Sequence, residues 1–177
     1  MPSIRAIAIV ILGLLTAACG FQLRGQAKLP FETLYLALPE YSPLATQLKR
    51  NIIAGSNTKL VDDPAKAQAI FSVVSEQRDK SILSFDANGK VRELLLQYRL
   101  AFRVRDGRGR DYVPQSEIRA TRDISYDDAQ VLSKESEEQL LYRDMQTDMV
   151  QQILRRLAAA PAEPISFEPG AKDAVAR

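Results

Sequence analysis

The chain has 177 residues, 46% hydrophobic and 26% charged, with 24 basic residues against 22 acidic ones. That near balance lacks the basic excess of a general nucleic-acid binder, so no nucleic-acid partner is expected. The absence of histidine and the presence of one cysteine remove Ser-His-Asp and Cys-His catalysis, internal disulfides and the usual zinc sites.

The first charged residue, Arg5, precedes an apolar run from Ala6 to Leu15 interrupted only by Gly13; Ala17 and Ala18 then lead into Cys19. This is the order of a secretory signal: charge, apolar stretch, small residues at a cleavage point. The run is about ten residues long, short of the roughly twenty that span a bilayer as a helix. A lone cysteine is commonly a small buried hydrophobe. Placed directly after a cleavage point, however, Cys19 resembles the lipidated cysteine of a bacterial lipobox, although Thr16 stands where that motif usually has Leu and Leu15 falls one place early. The reading is a lipoprotein signal peptide over 1–18, with Cys19 carrying N-acyl and S-diacylglycerol groups. Removing 18 residues from 177 leaves 159, enough for one domain with a core of its own.

Residues 19–32, containing Gly25 and Pro30, read as an extended tether. In Thr33–Leu38 the leucines alternate, predicting a strand that Pro39 stops. Ser42-Pro43 predicts an N-cap and first helical turn, followed by Leu44, Leu48 and Ile52 at four-residue spacing, with Gly55 as the C-cap. Asp62-Asp63-Pro64 marks a turn. A second strand runs from Ala69 to Phe85, and Asn88-Gly89 predicts a hairpin.

The third strand has the plainest pattern. Leu94, Leu96, Tyr98, Leu100, Phe102 and Val104 occupy even positions, against mostly charged or polar odd ones. Such a strand has one wet face and belongs in an antiparallel setting covered on one side. Asp106-Gly107-Arg108-Gly109 predicts the next turn, and a fourth strand covers about Asp111 to Tyr126, with Tyr112, Ile118, Ala120, Ile124 and Tyr126 on one face. Pro114 predicts an edge position or a bulge.

A last helix follows, with Ser136 and Gln139 as a capping box or Ser133 as the cap. Its stripe is Leu141, Met145, Met149, Ile153 and Leu157. Residues 161–177 read as a disordered tail. The sum is βαβββα over a single domain, 33–160: an α+β two-layer sandwich, with a four-stranded, mostly antiparallel sheet and two helices on one face.

Three groups could carry chemistry. Asp62, Asp63, Asp127 and Asp128 could bind a hard cation or act as acid and base, but each pair sits where Asp caps turns; neither a metal site nor a catalytic residue is expected. Arg99, Arg103, Arg105, Arg108, Arg110, Arg119 and Arg122 cluster on the third hairpin, either as a solvated face or as a docking surface for an anion. Lys90 and Arg92 flank one turn, and Lys134 opens the last helix.

The start Cys19-Gly20-Phe21-Gln22-Leu23-Arg24, the βαβββα order and the long C-terminal amphipathic helix together resemble the LptE family of lipopolysaccharide-assembly lipoproteins. That resemblance implies a non-enzymatic outer-membrane lipoprotein without a cofactor other than its lipid. It implies a one-to-one complex with the LptD-type β-barrel, which such proteins plug and help assemble. It implies lipopolysaccharide contacts in the loop between the second and third strands and before the last helix. The latter falls on Lys134. In the former, Asp86 occupies the basic position, leaving Lys90 or Arg92 to substitute. Gly20 is not the Asp that retains lipoproteins in the inner membrane. The remaining alternative is a generic envelope lipoprotein serving as a scaffold for another membrane machine.

Overall fold

A computed structural model describes residues 28–165. Cys19, the expected signal peptide, most of the tether and residues 166–177 lie outside the described residues.

The strand with the strict alternation becomes β4 (Val91–Arg105), and the fold is assembled around it. Leu96, Tyr98, Leu100, Phe102 and Val104 are completely buried. Antiparallel neighbours flank it: β3 (Ala69–Phe85) on one side and β5 (Asp111–Ser125) on the other. Beside the start of β3 lies β1 (Thr33–Ala37), in parallel, and β2 (Lys59–Leu60) runs parallel to β1. The order is β2-β1-β3-β4-β5. The sheet therefore has five strands rather than four. The extra one makes only two rungs, at Thr33 and Leu34, and two residues are too few to display a period.

Helix α1 (Pro43–Gly55) begins as its sequence predicts: Ser42 Oγ accepts the Ala45 N–H at 3.4 Å, and Leu44, Leu48 and Ile52 are buried. Its end differs. Gly55 is still helical, without positive φ, and Ser56 closes the last turn by donating from both N–H and Oγ to the Ile52 carbonyl, at 3.0 and 2.8 Å. Helix α2 (Val131–Ala158) starts before either predicted cap. A 3₁₀ turn, Asp128–Gln130, leads into it, closed by Asp127 Oδ1 accepting the Ala129 N–H at 2.9 Å. Ser136 is already inside the helix and donates to the Leu132 carbonyl. Tyr142, Met145, Met149, Val150, Ile153 and Leu157 join the α1 stripe and the even face of β4 in one core. Both helices thus cover the same face of the sheet.

Two boundaries shift. Leu29 and Phe31, assigned to the tether, are buried, and the Phe31 ring packs edge-on against Tyr112 at 5.7 Å. Ile165, assigned to the tail, exchanges both backbone hydrogen bonds with Asp111, at 2.8 and 3.1 Å. On β5, register shifts on both sides of Val113, paired with Val104, accommodate Pro114 and bury Tyr112 as well as Val113. The proline accordingly sits at both an edge and a bulge.

The two hairpin turns share one design. Asp86 Oδ1 accepts the N–H groups of Asn88 and Lys90, and Asp106 Oδ1 those of Arg108 and Arg110, all at 2.8–2.9 Å. Gly89 and Gly109 follow at φ 77 and 84, a left-handed conformation that side chains other than glycine's disfavour. Asp86 therefore closes a turn, which is why an acid stands there.

Candidate functional site: a lysine-lined cleft at the hairpin end

β1 accompanies β3 only from Ala69 to Ser72. From Val73 to Phe85 the strand continues as a sheet edge paired to β4 alone. Register on an antiparallel ladder fixes which side chains share a face. Glu76, Arg78, Lys80 and Ile82 lie opposite Leu100, Tyr98, Leu96 and Leu94, so three charged residues project from the helix-covered side at this edge. Inward-facing charges on an edge strand also discourage pairing with another chain.

A polar network ties this edge to the helices. Tyr98 Oη donates to Glu76 Oε1 at 2.5 Å, and Arg78 donates to Gln146 Oε1 at 3.2 Å. The Arg78 guanidinium lies 4.7 Å from the Tyr98 ring centroid and 5.6 Å from that of Tyr142. Gln146 Nε2 donates onward to Gln47 Oε1 on α1 at 3.0 Å. Tyr142 Oη donates to the Asp79 carbonyl at 2.9 Å. Burial and the Glu76 hydrogen bond together push the Tyr98 phenol up to about 12.

One further step along the edge brings Lys80 into a cleft. Leu94, Ile124, Tyr126 and Val131 supply its apolar lining; Lys80, Lys134, Ser125, Glu135 and Glu138 supply the polar part. Its volume, about 110 Å³, is near four times a water's share of liquid volume, ~30 Å³. A small anion fits in such a space; a whole acyl chain does not. Lys134 Nζ donates to Ser125 Oγ at 2.8 Å and to Glu137 Oε2 at 2.9 Å. Lys80 Nζ donates to Glu138 Oε2 at 2.8 Å, and this hydrogen bond, outweighing burial, raises the Lys80 ammonium above its usual value. Lys134 and Glu138 occupy the side of α2 that carries Tyr142 one turn later, so the core stripe becomes polar where it overhangs the cleft.

Of the basic residues that the sequence marks for lipopolysaccharide, Lys134 lines this cleft. Lys90 and Arg92 do not. Lys90 sits in the Asp86 turn, while the Arg92 carbonyl accepts the Tyr126 N–H at 2.8 Å, placing its backbone beside the cleft wall. Lys80 is the cleft residue that sequence reasoning misses, although its period-two spacing with Glu76, Arg78 and Ile82 is a usable signal. One member of each acidic pair caps a turn: Asp63 accepts the Ala65 N–H, and Asp127 that of Ala129. The arginines are largely neutralised nearby. Arg99, Arg105, Arg110 and Arg119 pair with Asp79, Asp111, Asp106 and Glu117. Arg122 lies opposite Leu96 and reaches Asp148 on α2, so it belongs to the helix side. Arg99, Arg105, Arg110 and Arg119 are thus ion-paired where the sequence groups them, and Arg122 is not part of the open sheet face.

Comparison with solved structures defines the class first: small α+β lipoproteins. A solution structure of an uncharacterised lipoprotein B from Nitrosomonas europaea is 43% identical, with a TM-score of 0.68, covering 79% of this chain and 91% of that one. A minor lipoprotein from Acinetobacter baumannii is 28% identical, with a TM-score of 0.62, covering 78% and 98%. The LPS-assembly lipoprotein LptE of Pectobacterium atrosepticum is 32% identical over 149 residues, which are 81% of this chain and 79% of that protein. The family described as lipopolysaccharide-assembly, LptE, matches residues 31–157. The chain belongs to the LptE family.

Proposed function

We propose that this protein is a non-enzymatic outer-membrane lipoprotein of lipopolysaccharide assembly, held through acylated Cys19, that plugs an LptD-type β-barrel one-to-one and binds lipopolysaccharide at the Lys80–Lys134 cleft. The observation that carries the binding site is the convergence of two ammonium groups, from β3 and α2, on one small cleft. Lysine is a compact, fully charged phosphate partner, and lipopolysaccharide presents phosphates. Two or three acyl chains on Cys19 would give stable anchoring, where a single chain is marginal.

The topology supports this arrangement. The chain enters β1 at Thr33, beside the β3 start and the Arg105 end of β4, whereas the cleft is at the Leu94 end. Ten residues of strand, about 33 Å at 3.3 Å each, separate Leu94 from Val104. An anchored domain would thus present its cleft away from the membrane surface that holds it. None of the described helices is long and apolar enough to cross a membrane.

The test is lipopolysaccharide capture by the full chain and by Lys134→Glu, with barrel co-purification from detergent-solubilised membranes as a second readout. The reading predicts lost capture with the barrel complex retained. Wild-type capture by the variant would remove the site, and purification without a large β-barrel would favour a scaffold for another machine.

A further inference from the structure

The cleft lining sets two lysines, Lys80 and Lys134, against two carboxylates, Glu135 and Glu138. Glu137, just outside that lining on α2, holds Lys134 at 2.9 Å, and Glu138 holds Lys80 at 2.8 Å. Each carboxylate takes a donor of its lysine and offsets that lysine's charge, so a phosphate meets a partly neutralised pair until the carboxylates give way.

We propose that Glu137 and Glu138 are built-in competitors for the phosphate ligand, occupying Lys134 and Lys80 in the free protein and exchanging with the ligand when it binds. This rests on the cleft being the lipopolysaccharide site, and it adds how that site is tuned for release as well as capture. The physical basis is visible in the exposure of the four groups. The Glu137 side chain is 47% exposed and that of Glu138 23%, against 18% for Lys134 and 47% for Lys80. Such partly solvated ion pairs contribute little, so a dianionic phosphate can displace them. A displaced carboxylate turns out to water, while Lys134 Nζ keeps its hydrogen bond to Ser125 Oγ. Leu141 and Tyr142, which anchor this part of α2, need not move. Ser125 Oγ, already 2.8 Å from Lys134 Nζ, offers a hydroxyl donor to the incoming oxygen. A transport component must release its cargo, and internal counter-ions shorten the residence time of a phosphate without enlarging the site.

The experiment compares the full chain with Glu137→Gln, Glu138→Gln, the double variant, and Glu117→Gln, whose carboxylate pairs with Arg119 away from the cleft. Probes are lipopolysaccharide and the same lipopolysaccharide treated with phosphatase, with and without a chelator of divalent cations. Each single cleft variant should tighten binding to the phosphorylated probe about two- to fivefold, as expected for removing one exposed ion pair. The double variant should tighten it further through a slower off-rate, and Glu117→Gln should leave it unchanged. The gain should vanish with the phosphatase-treated probe. Unchanged affinity in the double variant overturns the competition. Weaker binding that the chelator abolishes also overturns it, showing instead that the carboxylates hold a cation bridging to the phosphate. Lys134→Glu distinguishes the two levels: if it too leaves binding unaltered, the site itself is misplaced.

Discussion

Replacing Tyr98 with Phe tests whether the polar network secures the free edge of β3. The ring is completely buried, and Phe keeps its packing, so the substitution removes only the hydroxyl. Glu76 then loses a donor at 2.5 Å, and Arg78 loses an acceptor at 3.4 Å. Hydrogen bonds to charged groups contribute roughly 1.5–3 kcal/mol, but Glu76 is 34% exposed on its side chain and water replaces part of the loss. A destabilisation of about 1 kcal/mol at neutral pH is expected, lowering Tm by about 3–6 °C for a domain of this size. The pH dependence is more diagnostic. Folding raises the phenol from its ordinary value of 10.0 to about 12. A raised folded pKa gives stability that is complete below pH 10 and lost as pH rises through 12. At pH 11 the loss from this group is about 1.4 kcal/mol. Denaturant melts of both proteins from pH 7 to 11 should therefore converge as pH rises and meet by about pH 11. Parallel curves, or a variant as stable as wild type at pH 7, would refute the network. A fall in lipopolysaccharide capture should accompany the substitution, because Arg78 and Lys80 share that edge.

Met149→Ala, in the completely buried stripe of α2, should cost about 2–5 kcal/mol in urea unfolding through lost burial and the cavity left behind; a cost under about 1 kcal/mol would mean that α2 does not complete the core. Asp106→Ala should destabilise the β4–β5 turn by about 1–3 kcal/mol at pH 7. Burial pushes the Asp106 carboxyl up, but hydrogen bonds from the Arg110 side chain and the Arg110 and Arg108 N–H groups outweigh it and hold it below its usual value. That stability is present above the unfolded carboxyl value near 3.8 and lost as pH falls through the lower native one, so the variant should show a flatter acid limb in melts from pH 7 to 2. An acid limb of equal slope in both proteins would contradict it.

The elements of this fold are legible where one physical signal dominates. β4 alternates without a break among its buried even positions, and α1 carries its cap, its proline and its stripe in consecutive turns. The misses have particular causes. β2 is held by two rungs against β1, a tertiary relation with no local pattern. Ser136 resembles a cap, but Asp127 starts the preceding 3₁₀ turn, and α2 is helical by Val131. Tyr112 and Val113 are both buried because the ladder shifts on either side of Val113, which period two does not anticipate. In the site, Lys134 stands out by its position at the mouth of a helix, whereas Lys80 is one polar residue among many on β3. Only the register to Leu96 and the overhang of α2 bring it to Glu138. Asp86 is anomalous as a ligand residue and becomes intelligible as the closing carboxylate of a turn.

Whether the cleft, rather than the nearby turn, receives lipopolysaccharide is decided by equilibrium titration. Lys80→Glu/Lys134→Glu should be compared with Lys90→Glu/Arg92→Glu, using chains whose melts show them folded. Reversal of the cleft lysines should weaken binding by about tenfold or more, since charge-assisted contacts are worth roughly 1.5–3 kcal/mol each, while the turn variant stays within about threefold of wild type. Unweakened binding by the cleft variant, or an equal loss in both, would contradict a cleft that binds lipopolysaccharide.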